Sequence, residues 1–307
     1  MISLKQTFLR GSYPPIITPF RGGKVDYNKY AELIEGQIRN GSQGVVIAGT
    51  TGELSSLSVE ERSELLKTAV AVASGKIQVV AATGSQSLAE TLTLTIDAER
   101  AGADAALVVT PYYIKPSQRG LVEYFSEVGR QTALPLMIYH IPGRAAVSIK
   151  AQTVMKIAEE VPNLVGIKHA DQNLELLTEL LVMLGSDFRI FCGVEALSLP
   201  MLVLGGSGLM NAVGNIAPSR VASLYEAVQK GDLERAREVH TELFELNQSI
   251  FLETNPVPLK YMMWRLGLLE TAEVRLPLVE LDESQEKILN AVLSRAGLLD
   301  TSSVTMK

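Results

Sequence analysis

Residues 135–168 open with Pro135-Leu-Met-Ile-Tyr139, pass through Pro142-Gly143-Arg144 and a periodic stretch after Ser148, and end in Leu164-Val-Gly-Ile-Lys168. Two short apolar runs without polar alternation flank one amphipathic segment. This is the pattern of a strand, a crossover helix and a second strand, with both strands covered on both faces. Six further runs of the same kind surround the unit: Pro15-Ile-Ile-Thr-Pro-Phe20, Gly44-Val-Val-Ile-Ala48, Gln78-Val-Val-Ala-Ala82, Ala106-Leu-Val-Val-Thr110, Arg189-Ile-Phe-Cys192 and Gly208-Leu-Met-Asn-Ala-Val213. Helix start and stop signals lie between them. Asp26 can cap a helix that ends at Gly41, Ser58-Val-Glu-Glu61 and Ser87-Leu-Ala-Glu90 match the capping box, and Gly102 suits a C′ position. Eight strand–helix units in succession predict a (β/α)8 TIM barrel. The competing doubly wound sheet usually carries a glycine-rich dinucleotide turn after its first strand, and Thr18-Pro-Phe-Arg-Gly-Gly23 does not match one.

The barrel is expected to occupy residues 1–230, followed by a helical extension over 231–299 and a disordered tail over 300–307. Three helices are expected in the extension, about Asp232–Leu246, Pro256–Leu266 and Glu283–Arg295. Asn255 reads as the N-cap of the second, with Pro256 at its first position. The extension reads as a brace or an oligomer contact.

Composition narrows the chemistry. The 307 residues are 47% apolar and 20% charged, a globular balance. A single cysteine, Cys192, excludes an intrachain disulfide and multi-cysteine metal sites, and His140, His169 and His240 are too scattered to suggest a metal cluster. A net charge of −6 argues against nucleic acid or an anionic membrane as partner. No apolar run approaches the ~20 residues that span a bilayer, and Met1–Gly11 lacks the apolar core of a signal peptide, so a cytoplasmic location is expected.

In such a barrel the active site lies where strands end and βα loops begin. Lys168 ends the sixth run, Tyr139 the fifth, and Gly49-Thr50-Thr51-Gly52-Glu53 follows the second. An amine held inside a strand is poorly hydrated, which favours the neutral form that attacks a ketone to give a Schiff base. A rim lysine reaching back to water is the alternative reading. Tyr139, Tyr113 and Thr50 could relay the protons that such chemistry moves, or could each be an ordinary packed residue. Arg144 offers a planar fork suited to a carboxylate, and Gly49-Thr-Thr-Gly52 exposes donors to an anion.

Taken together these motifs resemble the dihydrodipicolinate synthase / N-acetylneuraminate lyase superfamily of class I aldolase-type barrels. The resemblance rests on Gly11-Ser-Tyr-Pro-Pro-Ile-Ile-Thr-Pro-Phe20, Gly49-Thr-Thr-Gly-Glu53, Val109-Thr-Pro-Tyr-Tyr113 with Pro116-Ser-Gln118, Tyr139-x-x-Pro-Gly-Arg144 and Gly166-Ile-Lys168, in family order and spacing. It implies that Lys168 forms the Schiff base with pyruvate, with no separate cofactor and no metal. Tyr139 is implied as the proton-handling group, linked through Thr50 to a Tyr113 that comes from the neighbouring subunit of a tight dimer. Thr51 would hold the pyruvate carboxylate, Arg144 the carboxylate of the second substrate, and Gly193 and Met210 would line the pyruvate site. A homo-oligomer built as a dimer of tight dimers is implied.

Thr50-Thr51, Tyr112-Tyr113 and Asn255-Pro-Val-Pro-Leu-Lys260 resemble the synthase branch, which condenses pyruvate with aspartate semialdehyde in lysine biosynthesis to give 4-hydroxy-tetrahydrodipicolinate. Several positions depart from that branch. His140 stands where Asn is usual, Ala145 where Thr is usual and His169 where Glu is usual, Val194-Glu195 replaces an acidic pair, and Leu54-Ser-Ser56 is atypical. The alternative is therefore a catabolic aldolase, dehydratase or deaminase of another 2-keto acid that uses the same lysine. A non-catalytic keto-acid-binding protein is the weakest reading. Glu90 and Tyr112 match the lysine feedback site of some synthases, but Val59, Arg62 and Gln86 do not, so weak or absent inhibition by lysine is expected.

Overall fold

The computed structural model describes residues 2–299, and the expected tail at 300–307 lies outside the described residues. Its strands, in chain order, are β1 (Gly11–Ser12), β2 (Phe20–Arg21), β3 (Lys24–Val25), β4 (Gly44–Ile47), β5 (Gln78–Ala82), β6 (Ala105–Val109), β7 (Leu136–His140), β8 (Leu164–His169), β9 (Arg189–Cys192) and β10 (Gly208–Leu209). All but β2 and β3 join one parallel sheet of eight strands, ordered as they follow in the chain, with β1 paired to β10. The ring closes where the chain beyond β1 meets β4: Ile16 N–H donates to the Val46 carbonyl at 3.0 Å, and Val46 N–H to the Pro14 carbonyl at 3.0 Å. The expected (β/α)8 barrel is thus the observed architecture, and the doubly wound alternative is excluded.

Helices follow the strands or decorate their loops: α1 (Tyr27–Arg39), α2 (Val59–Ala73), α3 (Leu88–Ala101), α4 (Gln118–Arg130), the single turn α5 (Pro142–Ala145), α6 (Ala151–Glu160), α7 (Leu174–Leu184), α8 (Ser198–Val203) and α9 (Pro218–Gln229). Their starts follow the local sequence signals. Ser58 and Glu61 form a reciprocal capping box at α2, whereas Ser87 caps α3 alone. The Glu90 carboxylate turns away from Ser87 and accepts from the Ser85 hydroxyl instead.

The first strand lies earlier than the sequence suggests. The apolar run points to Pro15–Phe20, yet β1 is Gly11–Ser12, and β2 pairs antiparallel with β3 in a small hairpin. Pro14, Pro15 and Pro19 have no N–H to give a ladder, so this stretch makes only the bridge to β4. Likewise β10 is only two residues long, and Ala212–Asn215 forms a 3-10 turn.

Two apolar cores follow from strand alternation. Val46, Val80, Leu107, Met137, Phe191 and Met210 fill the barrel, while Ile47, Val79, Ile138, Ile167 and Ile190 pack outward against the helices. The β7–β8 register shifts at Leu136/Met137: Leu136 pairs with Leu164, but Met137 pairs with Gly166. The extra residue is a bulge, and it inverts the facing of everything downstream in β8. Leu164 faces the helices, so unbroken alternation would send Lys168 the same way. The bulge turns Lys168 into the barrel instead.

Beyond α9, three helices make up the extension: α10 (Leu233–Ser249), α11 (Val257–Arg265) and α12 (Glu283–Arg295). Asn255 does not cap α11 as expected. The Asn255–Pro256 peptide is cis, Pro256 takes the cap position, and the Asn255 side chain turns to Thr51. Among the described residues no helix is long and apolar enough to cross a membrane.

Candidate active site

Lys168 and Tyr139 are direct register partners on β8 and β7, and both are buried. The Lys168 Nζ lies 4.4 Å from the centroid of the Tyr139 ring. The phenol oxygen of Tyr139 is 3.4 Å from the Thr50 Oγ1, which sits on the turn after β4. That turn is tight: Gly52 N–H donates back to the Gly49 carbonyl at 3.0 Å, and the Thr18 hydroxyl donates to the Gly52 carbonyl at 2.8 Å. Three residues distant in sequence therefore meet at the C-terminal end of the barrel strands.

A cavity of about 210 Å³ opens beside them. Thr50, Tyr139, Tyr112 and Arg144 line it, Arg144 being exposed on the short α5 turn at its mouth. Lys168 lies against the Tyr139 ring rather than in the cavity wall itself. Gly193 sits against Lys168; a Cβ there would lie 2.8 Å from the lysine Cε, so only glycine leaves the amine its room. Met210 packs in the barrel core with Tyr139 and Phe191. Thr51 is buried, and its hydroxyl accepts from the Asn255 side chain at 3.0 Å. Tyr113 does not join the cavity of its own chain. It is 88% exposed and holds a left-handed backbone at φ 72°.

The departures from the synthase pattern divide in space. Leu54, Ser55 and Ala145 line the cavity. His140 and His169 lie behind it, each one residue beyond Tyr139 or Lys168 and so on the helix-facing side. Their Nδ1 atoms are 3.1 Å apart, and His169 Nε2 donates to the Asn173 carbonyl at 2.9 Å. That bond fixes both tautomers: His140 donates from Nδ1 to His169, and its own Nε2 is left a buried lone pair. Burial pulls His140 down to about 4, the neighbouring His169 adding to the effect and Asp171 opposing it. His169 is lowered by burial as well.

A second tier of polar groups stands behind the site: the sequence marks Glu195 as either a pocket residue or a helix-start carboxylate, but not the partners these groups find. Glu195 is fully enclosed, and its Oε1 accepts from the Ala212 N–H at 2.7 Å. Burial raises its carboxyl, with the Ala212 bond and the Lys168 charge opposing. Glu53, at the end of the threonine turn, pairs with Lys260 of α11 at 2.5 Å, both side chains 1% exposed. Burial draws the Lys260 ammonium down to about 8 against the pull of Glu53. The motif that carries Lys260 is visible in the sequence, but nothing there links it to Glu53.

At the candidate feedback site the Glu90 carboxylate is already engaged. Arg62 approaches it at 3.7 Å and also donates to the Ala82 carbonyl at 2.9 Å.

A lysine turned into a parallel barrel, packed on a tyrosine–threonine pair beside a small cavity, defines a lyase of the (β/α)8 class. The profile of the Dihydrodipicolinate synthetase family matches residues 8–296, and the chain belongs to that family. The 4-hydroxy-tetrahydrodipicolinate synthase of Thermus thermophilus is 44% identical over 291 residues, 94% of this chain and 97% of the relative. The crystal structure of dihydrodipicolinate synthase from Aquifex aeolicus superposes with a TM-score of 0.92 at 41% identity, covering 95% of this chain and 99% of that one. A dihydrodipicolinate synthase characterised as the first monomeric variant matches equally well, with a TM-score of 0.92 at 35% identity over 95% of this chain and 98% of that one.

Proposed function

We propose that this chain condenses pyruvate with aspartate semialdehyde to 4-hydroxy-tetrahydrodipicolinate through a Schiff base on Lys168. The observation that carries the reading is the Lys168–Tyr139–Thr50 arrangement beside the cavity. The amine of Lys168 attacks C2 of pyruvate, and the carbonyl oxygen leaves as water once protonated. Loss of a C3 proton gives the enamine, whose C3 attacks the aldehyde carbon. The amino group of the second substrate then attacks C2, closes the ring and expels the lysine amine. The covalent imine is the electron sink, so no cofactor or metal is required.

Tyr139 gives and takes the protons of these steps, with Thr50 holding its hydroxyl. Tyr113, exposed on its own subunit, completes the relay in the site of a neighbouring copy, which requires at least a dimer. Thr51 and the backbone of its turn receive the pyruvate carboxylate, and Arg144 receives that of the aldehyde. Gly193 and Met210 shape the pyruvate side of the pocket. Location in the cytoplasm fits a chain with one buried cysteine and no disulfide. Inhibition by lysine is weak in this reading, because Arg62 occupies Glu90; half-inhibition at sub-millimolar lysine overturns that point.

Borohydride reduction in the presence of pyruvate tests the chemistry. The expected result is loss of activity with an adduct on the peptide carrying Lys168, absent in Lys168→Arg. No adduct in the unaltered protein overturns it. Assay of aspartate semialdehyde against a panel of 2-keto-3-deoxy acids tests the substrate, and a kcat/KM orders of magnitude lower for the semialdehyde overturns the synthase assignment.

A further inference from the structure

The turn that carries Thr50 and Thr51 is gripped from outside the barrel. Asn255 donates to the Thr51 hydroxyl, and Lys260 meets the Glu53 carboxylate in a pair closed to water. The second oxygen of Glu53 accepts from the Arg275 backbone N–H at 3.2 Å. Lys260 also donates to the Glu273 carbonyl at 2.7 Å and lies 4.0 Å from the centre of the Phe20 ring. Arg275 stands 4.4 Å from the same ring, donates to the Ser56 carbonyl at 2.9 Å and holds Glu61 with two bonds of 2.7 Å. Segment 255–275 thus contacts the threonine turn at Thr51, Glu53 and Ser56, spanning the turn and the residues just beyond it.

A buried ion pair is a poor way to add stability, because desolvation of two charges offsets their attraction and apolar replacements often do as well. Such a pair does fix one geometry, since among the described residues neither side chain makes a second ion pair. Glu53 is itself held in the left-handed region at φ 57°, which a non-glycine residue adopts only when its surroundings enforce it. A constrained backbone, a closed ion pair and a side-chain bond to Thr51 all converge on one five-residue turn, whose Gly49 and Thr50 line the cavity.

We propose that Asn255, Lys260 and Glu53 are positioning residues that clamp the Gly49–Glu53 turn in the geometry that binds the keto-acid carboxylate, so that the C-terminal extension is part of the substrate site. The inference rests on the Schiff-base reading above. The extension acts through the turn and touches no substrate. Loosening the clamp therefore weakens pyruvate capture while leaving the affinity for the second substrate in place.

The test compares Asn255→Ala, Lys260→Met and the double variant Glu53→Gln/Lys260→Met with the unaltered oligomer. Thermal midpoints, KM for pyruvate, KM for aspartate semialdehyde and the rate of borohydride trapping are measured for each. Asn255→Ala and the double variant are expected to keep a thermal midpoint close to that of the parent. Their KM for pyruvate rises about tenfold or more, and trapping at low pyruvate slows in step, as displacement of a positioning group predicts. KM for the semialdehyde moves less than about twofold. Lys260→Met alone leaves Glu53 unpaired and loses both stability and pyruvate affinity. If the double variant and Asn255→Ala match the parent in both KM for pyruvate and trapping, the clamp is only structural and the proposal fails. Should the double variant not fold, Asn255→Ala decides alone, an unchanged KM overturning the proposal. Absence of an adduct in the parent protein instead removes the Schiff-base reading, and the clamp with it.

Discussion

The Tyr139 ring and the Lys168 amine are held face to face by strand register: the two residues pair across β7 and β8, and Nζ lies 4.4 Å from the ring centroid. Neither side chain needs a loop to find the other. Sites built on strands hold their geometry better than sites built on loops, and the Thr50 contact adds the one loop-borne group. The phenol ring is thus fixed against the lysine amine by the strand ladder, with its hydroxyl on Thr50.

Tyr139→Phe removes that hydroxyl and keeps the ring on the lysine. Folding is expected to be unchanged, and kcat to fall by about 10²–10⁴-fold, the range for loss of a positioned proton carrier. KM for pyruvate should shift far less than kcat. A kcat within about threefold of the parent would remove Tyr139 from the proton path.

Gly166→Ala tests the bulge that turns Lys168 inward. A Cβ at Gly166 would lie 2.2 Å from the Arg189 carbonyl oxygen, a contact that only backbone movement can relieve. The β8–β9 ladder must open there, at the residue that sets the facing of Lys168. Expected are a lower thermal midpoint and a borohydride-trapping rate reduced well beyond the loss of folded protein. A variant that traps pyruvate at the parent rate would show that β8 keeps its facing without the glycine.

That bulge marks the limit of what the sequence discloses. Periodicity locates seven of the eight barrel strands, because parallel strands covered on both faces leave continuous apolar runs. It misplaces the first, where prolines break the ladder while the apolar character persists. It cannot say which way Lys168 points, since facing depends on a register shift against Leu136 that no local pattern records. Motif reasoning collects Lys168, Tyr139, Thr50 and Arg144, and the fold brings those four together in or beside one cavity. Asn255 reads as a helix cap, because Asn before Pro is a strong cap signal and the pull of Thr51, 204 positions away, is invisible in the chain.

The His140–His169 pair makes a prediction about acid stability. Burial keeps His140 neutral in the fold down to about 4, against an ordinary value of 6.5. Between those limits the unfolded chain binds a proton that the folded chain refuses, so stability is full above 6.5 and falls as the pH drops toward 4. The loss from this one residue is on the order of 3 kcal/mol, because each tenfold weakening of proton binding is worth about 1.36 kcal/mol. The midpoint of urea unfolding should decline steeply as the pH falls from 6.5 toward 4, and the decline should be shallower in His140→Asn. Equal slopes in the two proteins would remove His140 from the groups that govern acid stability.

Tyr113 makes the last prediction, and it concerns two chains rather than one. A tyrosine 88% exposed at a φ of 72° leaves its ring in water on a strained backbone, an arrangement with no benefit inside its own subunit. If it serves the site of a neighbouring copy, Tyr113→Ala and Lys168→Ala are each inactive alone, for different reasons. Mixed and reassembled, they form hybrid dimers in which one site combines the lysine of the first variant with the tyrosine of the second. Activity should reappear on mixing and vanish again on dilution below the dissociation constant of the dimer. Two inactive variants that stay inactive when size-exclusion and mass analysis show hybrid dimers would place Tyr113 outside the catalytic relay.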